Sequence, residues 1–491
     1  MIGSGLFPPQ LQKRGDRIKD FHKRERKQAM IDNAQLLSAS QWAHATFAEA
    51  RLGDQRRTKR VVHMATLMAT QSDVSLPRMM KSKAELKAAY RLLETPDVTY
   101  EGLMHPHVQQ TQQQAGSHRR VLLIQDTTDL NYSHHPTTTG LGPLKNQKQH
   151  GMLLQTVLAV DPQASQILGI MHQEPFLRKL APEQETRAQR LKRERESQVW
   201  EHSVTQIGSP PEGVEWIHVG DRGGDIFTFF EACLAQKTHF LVRAAQNRCV
   251  HGEEEDEQIG RLKDRVRALP ACQKKVLDLP ATADRKARSA TLSIAWQAVS
   301  IEPPQRGASL TGQPVTAWVI RVWEETPVDG VEPLEWILLT SVPVHTVEQA
   351  WERVDWYRDR WIVEDYHQGL KTGCSIEERQ LQTYEGLRRL LGLLAPMAVR
   401  LLQLRAVARL APEQPASQTM PDEVVQVVAY LAKVPAAELT TQQCWYTIAG
   451  QGGYLGRRGD GPPGWKTLWY GWFHLQTLLQ GIHLASLFTF Q

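Results

Sequence analysis

The sequence predicts a mixed α/β protein with helical ends, and three observations carry that expectation. Short apolar runs that end in an acid, VLLIQD (121–126) and EWIHVGD (215–221), read as strands. A highly charged segment between them, 181–204, reads as a helix with Pro182 near its first turn. On both sides of this strand-rich middle the chain turns helical, with amphipathic stretches such as KAELKAAYRLLE at 83–94. Three strands, a helix and a further strand form a mixed α/β pattern.

Taken in order, residues 1–40 are polar, basic and aperiodic, and are expected to be a disordered leader, with Met30 as an alternative start. Residues 41–115 read as a helical domain. Inside it, RLGDQRRTKR carries Arg51, Arg56, Arg57, Lys59 and Arg60. Such a run is either a solvated helix face or a set of phosphate contacts. Residues 116–236 hold the strands RRVLLIQD, MLLQTVLAVDP, SQILGIMHQ and VEWIHVGDRGGD. Residues 237–345 are mostly strand-like, broken by Pro, Gly and Asp, and read as an antiparallel β insertion. Residues 346–410 are helical again. Residues 411–491 are helices rich in tryptophan, where Trp445, Trp465, Trp469 and Trp472 suit a small core or an interface.

Composition narrows the function classes. The chain has 491 residues, room for several domains, with 41% hydrophobic and 23% charged residues. No apolar run reaches the ~20 residues of a membrane span, so no membrane partner and a cytoplasmic location are expected. Cys233, Cys249, Cys272, Cys374 and Cys444 are scattered without a C-x-x-C pair, which suggests neither a disulfide framework nor a zinc site. The formal charge of +5 is accounted for by the first thirty residues, so DNA binding has to rest on local patches.

The segment YRDRWIVEDYHQGLK (357–371) sorts itself as a helix. At ~100° per residue, Tyr357, Arg360, Glu364 and Lys371 fall within about 60° of one another. Val354, Ile362, Tyr366 and Leu370 fall on the other side. A surface salt-bridge face would look the same. The two strand-terminal acids alter the balance. If their strands are neighbours, Asp126 and Asp221 converge at a sheet end, where α/β proteins bind ligands. Glu364 would complete an all-oxygen set suited to Mg2+ or Mn2+.

Together these residues resemble a DDE transposase of the RNase H-like type. The likeness is to the bacterial cut-and-paste enzymes of the insertion-sequence-four family, nearest to that of the composite kanamycin-resistance transposon. The family's helix signature, Tyr-x2-Arg-x3-Glu-x6-Lys, is matched at Tyr357, Arg360, Glu364 and Lys371. Its first acid lies in a D-T-T context, here Asp126-Thr127-Thr128, and its second in D-R-x-x-D, here Asp221 to Asp225. The likeness extends over roughly residues 30 to 490, including WAHATFAEARLGDQRRTKR (42–60) and GWKTLWYGWFHLQTLL (464–479). Two departures stand out: LLIQD lacks an acid directly before the first aspartate, and Gly223-Gly224 adds freedom to the second turn.

The resemblance implies an RNase H-like core, 116–236 and 346–410, interrupted by the β insertion at 237–345. It implies a DNA-end-binding domain at 41–115 and a dimerisation domain at 411–491. Asp126, Asp221 and Glu364 would bind two divalent ions. Tyr357, Arg360 and Lys371 would grip phosphates, and Trp336 would stack on a base flipped from the transposon end. Arg51, Arg56, Arg57, Lys59, Arg60 and Lys83 would contact the terminal inverted repeats. The partners implied are double-stranded DNA, both element ends and target, and a second copy of the chain, in a bacterial, nucleoid-associated setting. An RNase H-like nuclease without transposition, an inactive DNA-binding copy and a non-catalytic helical assembly protein are the competing readings.

Overall fold

The structure is a computed structural model that describes residues 37–145, 148–179, 186, 195–252, 259–279, 288–305, 309–326, 333–410, 412–457 and 460–487. The leader up to 36, with Met30, and the start of the helix expected at 181–204 lie outside them. Among the described residues no helix is long and apolar enough to cross a membrane. The chain divides into two compact units, one of Met1–Val98, Thr372–Ser375 and Leu393–Gln491, the other of Thr99–Lys371 and Ile376–Gly392.

The first unit opens with α1 (Ala39–Phe47), α2 (Gln55–Thr70), α3 (Leu76–Met79) and α4 (Lys83–Glu94). Each longer helix starts on a side-chain cap: Ser38 for α1, Asp54 for α2 and Ser82 for α4. The second unit begins with α5 (Tyr100–Gly116), so part of the region 41–115 belongs to it.

Its strands are β1 (Arg120–Asn131), β2 (Gly142–Pro143), β3 (His150–Asp161), β4 (Gln166–Phe176), β5 (Glu215–Gly220), β6 (His239–Arg243), β7 (Cys249–His251), β8 (Gly260–Arg261), β9 (Gln273–Leu279), β10 (Arg288–Ile301), β11 (Val315–Glu324) and β12 (Glu335–Thr340). Between them lie α6 (Val199–Ile207), α7 (Phe227–Ala235) and α8 (Leu262–Arg267), and after them α9 (Val347–Arg358) and α10 (Trp361–Gln368). Then come α11 (Tyr384–Leu410), α12 (Asp422–Ala432), α13 (Thr441–Gln451) and α14 (Trp465–Leu487).

The described strands form one sheet, β2-β3-β1-β5-β6-β12-β11-β10-β7-β8, with β4 on β3 and β9 on β10. β1 runs antiparallel to β3 and parallel to β5, and β5 is parallel to β6. The strands expected as an insertion, β6 to β12, pair antiparallel among themselves, but the first of them, β6, is also parallel to β5, so the run continues the central sheet through β6. The open edge of β6 presents backbone groups that need partners, and β12 supplies them.

Both faces of the central strands are buried. Val121 and Leu123 of β1 pack with Val157, Ala159, Leu168, Met171 and Trp216, while Leu122 and Ile124 are equally inaccessible. In the first unit, Trp445 and Trp472 stack at 6.0 Å and Trp465 meets Trp469 at 4.2 Å. All four are buried within the chain. The exposed apolar side chains of α14 are instead Tyr470, Ile482, Leu484 and Leu487.

Candidate active site

Asp126 does not end its strand. β1 continues to Asn131, with Asp126 in register with Thr156 of β3. What ends here is the parallel neighbour: the pairing of β1 with β5 stops at Ile124 opposite Val219. Carried two residues further, the same register sets Asp126 beside Asp221. Asp221 Oδ1 accepts the Gly223 N–H at 2.7 Å and caps a single 3₁₀ turn, Arg222–Gly224. The glycines around it provide space, contrary to the freedom expected of Gly223-Gly224. A Cβ on Gly220 would come 2.7 Å from the Trp200 ring, and one on Gly224 would come 3.1 Å from it. Asp225, the last acid of the turn motif, is structural. It is buried, accepts the N–H groups of Ala245 and Gln246, and pairs with Arg248.

The third acid comes from α10, which packs on β1 and β3. The expected single helix over 357–371 is interrupted twice. Arg360, Ile362 and Val363 each donate to the carbonyl three residues back, a 3₁₀ tightening between α9 and α10. Past α10, Gly369–Gly373 forms a π turn. Each interruption shifts the helical phase. Tyr357 is therefore buried instead of lying on a polar face, and Val363 is fully buried where Ile362 is only half-buried.

The electrostatics tie these elements together. Burial first, and then the charge of Asp221, push the Asp126 carboxyl up to about 6; Arg360 opposes this and Glu364 adds to it. Arg360 is 8% exposed and donates to Glu364 Oε1 at 2.9 Å. Tyr357 stands edge-on to Trp336, with ring centroids 5.5 Å apart. Burial raises the Tyr357 phenol, while Arg360 and Arg243 oppose the rise. The structure thus gathers Asp126, Asp221, Glu364, Arg360, Tyr357 and Trp336. It sets Lys371 apart: Nζ is 3.8 Å from Glu377 Oε1, and Glu377 accepts the N–H of Asn131 at the far end of β1.

Two residues here escaped the sequence reading. Arg243, the last residue of β6, donates to the Glu335 carbonyl beside Trp336 at 3.0 Å. Trp361, between Arg360 and Glu364, is 59% exposed with the Arg360 guanidinium 5.0 Å from its ring.

The oxygen-only donor set fits hard divalent cations. Asp221 and Glu364 each engage one carboxylate oxygen with their own chain. Among the described residues, the trio whose ligand atoms all lie within 4.8 Å of one another is a different one, His172, Glu174 and His202.

In the first unit, Arg57 is occupied. It donates to the Leu52 carbonyl at 2.9 Å and to Asp97 at 2.8 Å. Arg56 lies on Asp54 at 3.3 Å, although its side chain is 92% exposed. Arg51, Lys59 and Lys83 are exposed and Arg60 is half-buried. A shallow groove along α4 is lined by Lys83, Leu86, Lys87, Tyr90, Arg91 and Glu94. Its Lys87, Tyr90 and Arg91 were visible in the spacing of KAELKAAYRLLE but not singled out.

Comparison with known proteins agrees with both ends of the chain. Residues 39–98 match the family model for transposase DNA-binding, and residues 396–489 that for the Tn5 transposase dimerisation domain. The chain therefore carries a transposase DNA-binding domain and a transposase dimerisation domain. Among solved structures, a cryo-EM structure of a piggyBac transposase synaptic complex with hairpin DNA is similar over 93% of this chain and 79% of that one. The identity is 9% and the TM-score 0.34, a likeness too loose to bear on mechanism.

Proposed function

We propose that the protein is a cut-and-paste DDE transposase of the insertion-sequence-four family. The observation that carries this is the meeting of Asp126, Asp221 and Glu364, in a chain whose two ends are transposase DNA-binding and dimerisation domains. The mixed order β4-β3-β1-β5-β6, with helices against it, supports an RNase H-like core.

Asp126, Asp221 and Glu364 would hold Mg2+ or Mn2+. When bound, such a pair of ions activates a water and stabilises the leaving 3′-oxygen. Water cleaves at the element's end and frees a 3′-hydroxyl. That hydroxyl attacks the opposite strand to give a hairpin, water reopens it, and the freed end attacks target DNA. Arg360 steadies Glu364 and, with Tyr357, offers donors to the phosphate next to the cut. Trp336 presents a ring to an unstacked base. Arg243 adds positive charge beside it. Lys371, held by Glu377, grips a phosphate further along. Arg51, Arg56, Lys59, Arg60 and the α4 face contact the terminal repeats, while Arg57 braces the domain. Two copies bridge two ends through the dimerisation domain, in the cytoplasm on the nucleoid.

The test is DNA cleavage. Purified protein is incubated with Mg2+ or Mn2+ and with DNA that carries both ends of the element and flanking sequence, and Glu364→Ala runs beside it. Release of the segment by the parent alone supports the proposal. Equal cleavage by both removes Glu364 from the site. Nicking without joining to a target favours a plain nuclease, and binding without cleavage an inactive copy.

A further inference from the structure

We propose that His172, Glu174 and His202 form a second divalent-metal site, selective for zinc, on the sheet face opposite α10. His172 and Glu174 are two residues apart on β4 and so share a face. Gln173 between them points the other way and donates to the Tyr366 hydroxyl of α10 at 2.8 Å. His202 arrives from α6, which packs on β3 and β4. Glu174 Oε2 lies 2.8 Å from His202 Nδ1 and 3.8 Å from His172 Nε2. The three ligand atoms all fall within 4.8 Å of one another.

A second observation points to a ligand. His172 Nε2 is buried and has no hydrogen-bond partner, and 3.8 Å to Glu174 is too long to be one. An ion at roughly 2.0–2.2 Å from each donor would satisfy it after a small contraction of the cluster. Two imidazoles and one carboxylate suit zinc better than magnesium, which prefers oxygen alone. Three protein ligands leave a fourth position for water. The Gln206 amide, 3.1 Å from His202 Nε2, orients the ring from behind.

The site has a consequence for its surroundings. α6 also carries Trp200, whose ring lies against Gly220 and Gly224 on either side of Asp221. An ion joining α6 to β4 would steady the floor beneath that turn. The metal site itself does not depend on the transposase proposal.

The full chain, purified without a histidine tag and stripped with EDTA, is titrated with Zn2+ by calorimetry and with Co2+ by visible absorption. With Mg2+ in excess to occupy the carboxylates of Asp126, Asp221 and Glu364, one Zn2+ per chain is expected, with a rise in melting temperature. His202→Ala and Glu174→Gln are each expected to weaken binding by about 100-fold or more, and Asp126→Asn to leave it unchanged. His202 is 48% exposed, so the metal-free melt of His202→Ala should match the parent and show that it is folded. No zinc uptake by the parent, undiminished uptake by His202→Ala, or loss in Asp126→Asn would each overturn the proposal.

Discussion

The carboxylates of Asp126, Asp221 and Glu364 and the cluster His172, Glu174 and His202 use opposite faces of one sheet and opposite electrostatics. In the first, like charges crowd together: burial and Asp221 push Asp126 up to about 6, with Arg360 as the opposing charge. In the second, one carboxylate sits between two imidazoles and is already partnered. The first arrangement would be relieved by a doubly charged hard cation, as proposed for Mg2+ or Mn2+. The second can stand without an ion and gains one only for the orphaned His172 nitrogen.

The sharpest way to break this comparison is to remove one acid from the first cluster. Asp221→Asn should lower end cleavage by on the order of 10³-fold, a loss comparable to deleting a central electrostatic contact in other active sites. Gel-shift binding of the ends should remain. Cleavage within tenfold of the parent would contradict the role given to Asp221.

Acid comes next, and it should act on both faces alike. His107, His218 and His367 are buried neutral, and burial lowers them to about 4, 3 and 3. An unfolded histidine titrates near ~6.5. Below that pH the unfolded chain takes up protons that these three refuse, so stability is full above about 6.5 and is lost as pH falls towards those folded values. Each costs up to about 1.4 kcal/mol per pH unit. Melting temperature should hold at neutral pH and fall steadily from pH 6.5 to 5. His202→Ala should show the same fall, and a flat profile would show that these histidines are not buried neutral.

Trp336→Ala should reduce cleavage of paired ends by about tenfold or more, from the lost stacking of one base. Ends with a pre-unpaired base at the cut should recover part of it. Gly220→Ala forces a Cβ against Trp200 and should cost about 1–3 kcal/mol by overpacking, read as a lower melting temperature. The smallest effect concerns the DNA-binding domain. Lys87→Ala should reduce the salt dependence of end binding by about one unit of slope, whereas Arg57→Ala should lower the melting temperature and leave the slope alone.

How far the sequence reached depended on whether the signal was local. VLLIQD and EWIHVGD marked two strands because apolar runs and acids are adjacent in the chain. That Asp126 falls mid-strand was not legible, because it depends on where β5 stops beside it. Trp336 was named only from the family resemblance, and it does meet Tyr357. Arg57 looked like its basic neighbours because Asp97, its partner, lies forty residues on. The helix over 357–371 failed at both ends for another reason: a 3₁₀ turn and a π turn change the phase without any Pro to announce them. His202 had no visible link to Glu174, since strand–helix packing alone brings them together.

The most direct test of the central claim is affinity cleavage. Fe2+ replaces Mg2+ on the purified chain, ascorbate and peroxide are added, and the cut positions are mapped by mass spectrometry. The account predicts backbone cuts near residues 126, 221 and 364 together, suppressed by excess Mg2+ and absent in Glu364→Ala. Cuts that avoid those three segments, or cuts at those segments that survive in Glu364→Ala, would contradict it.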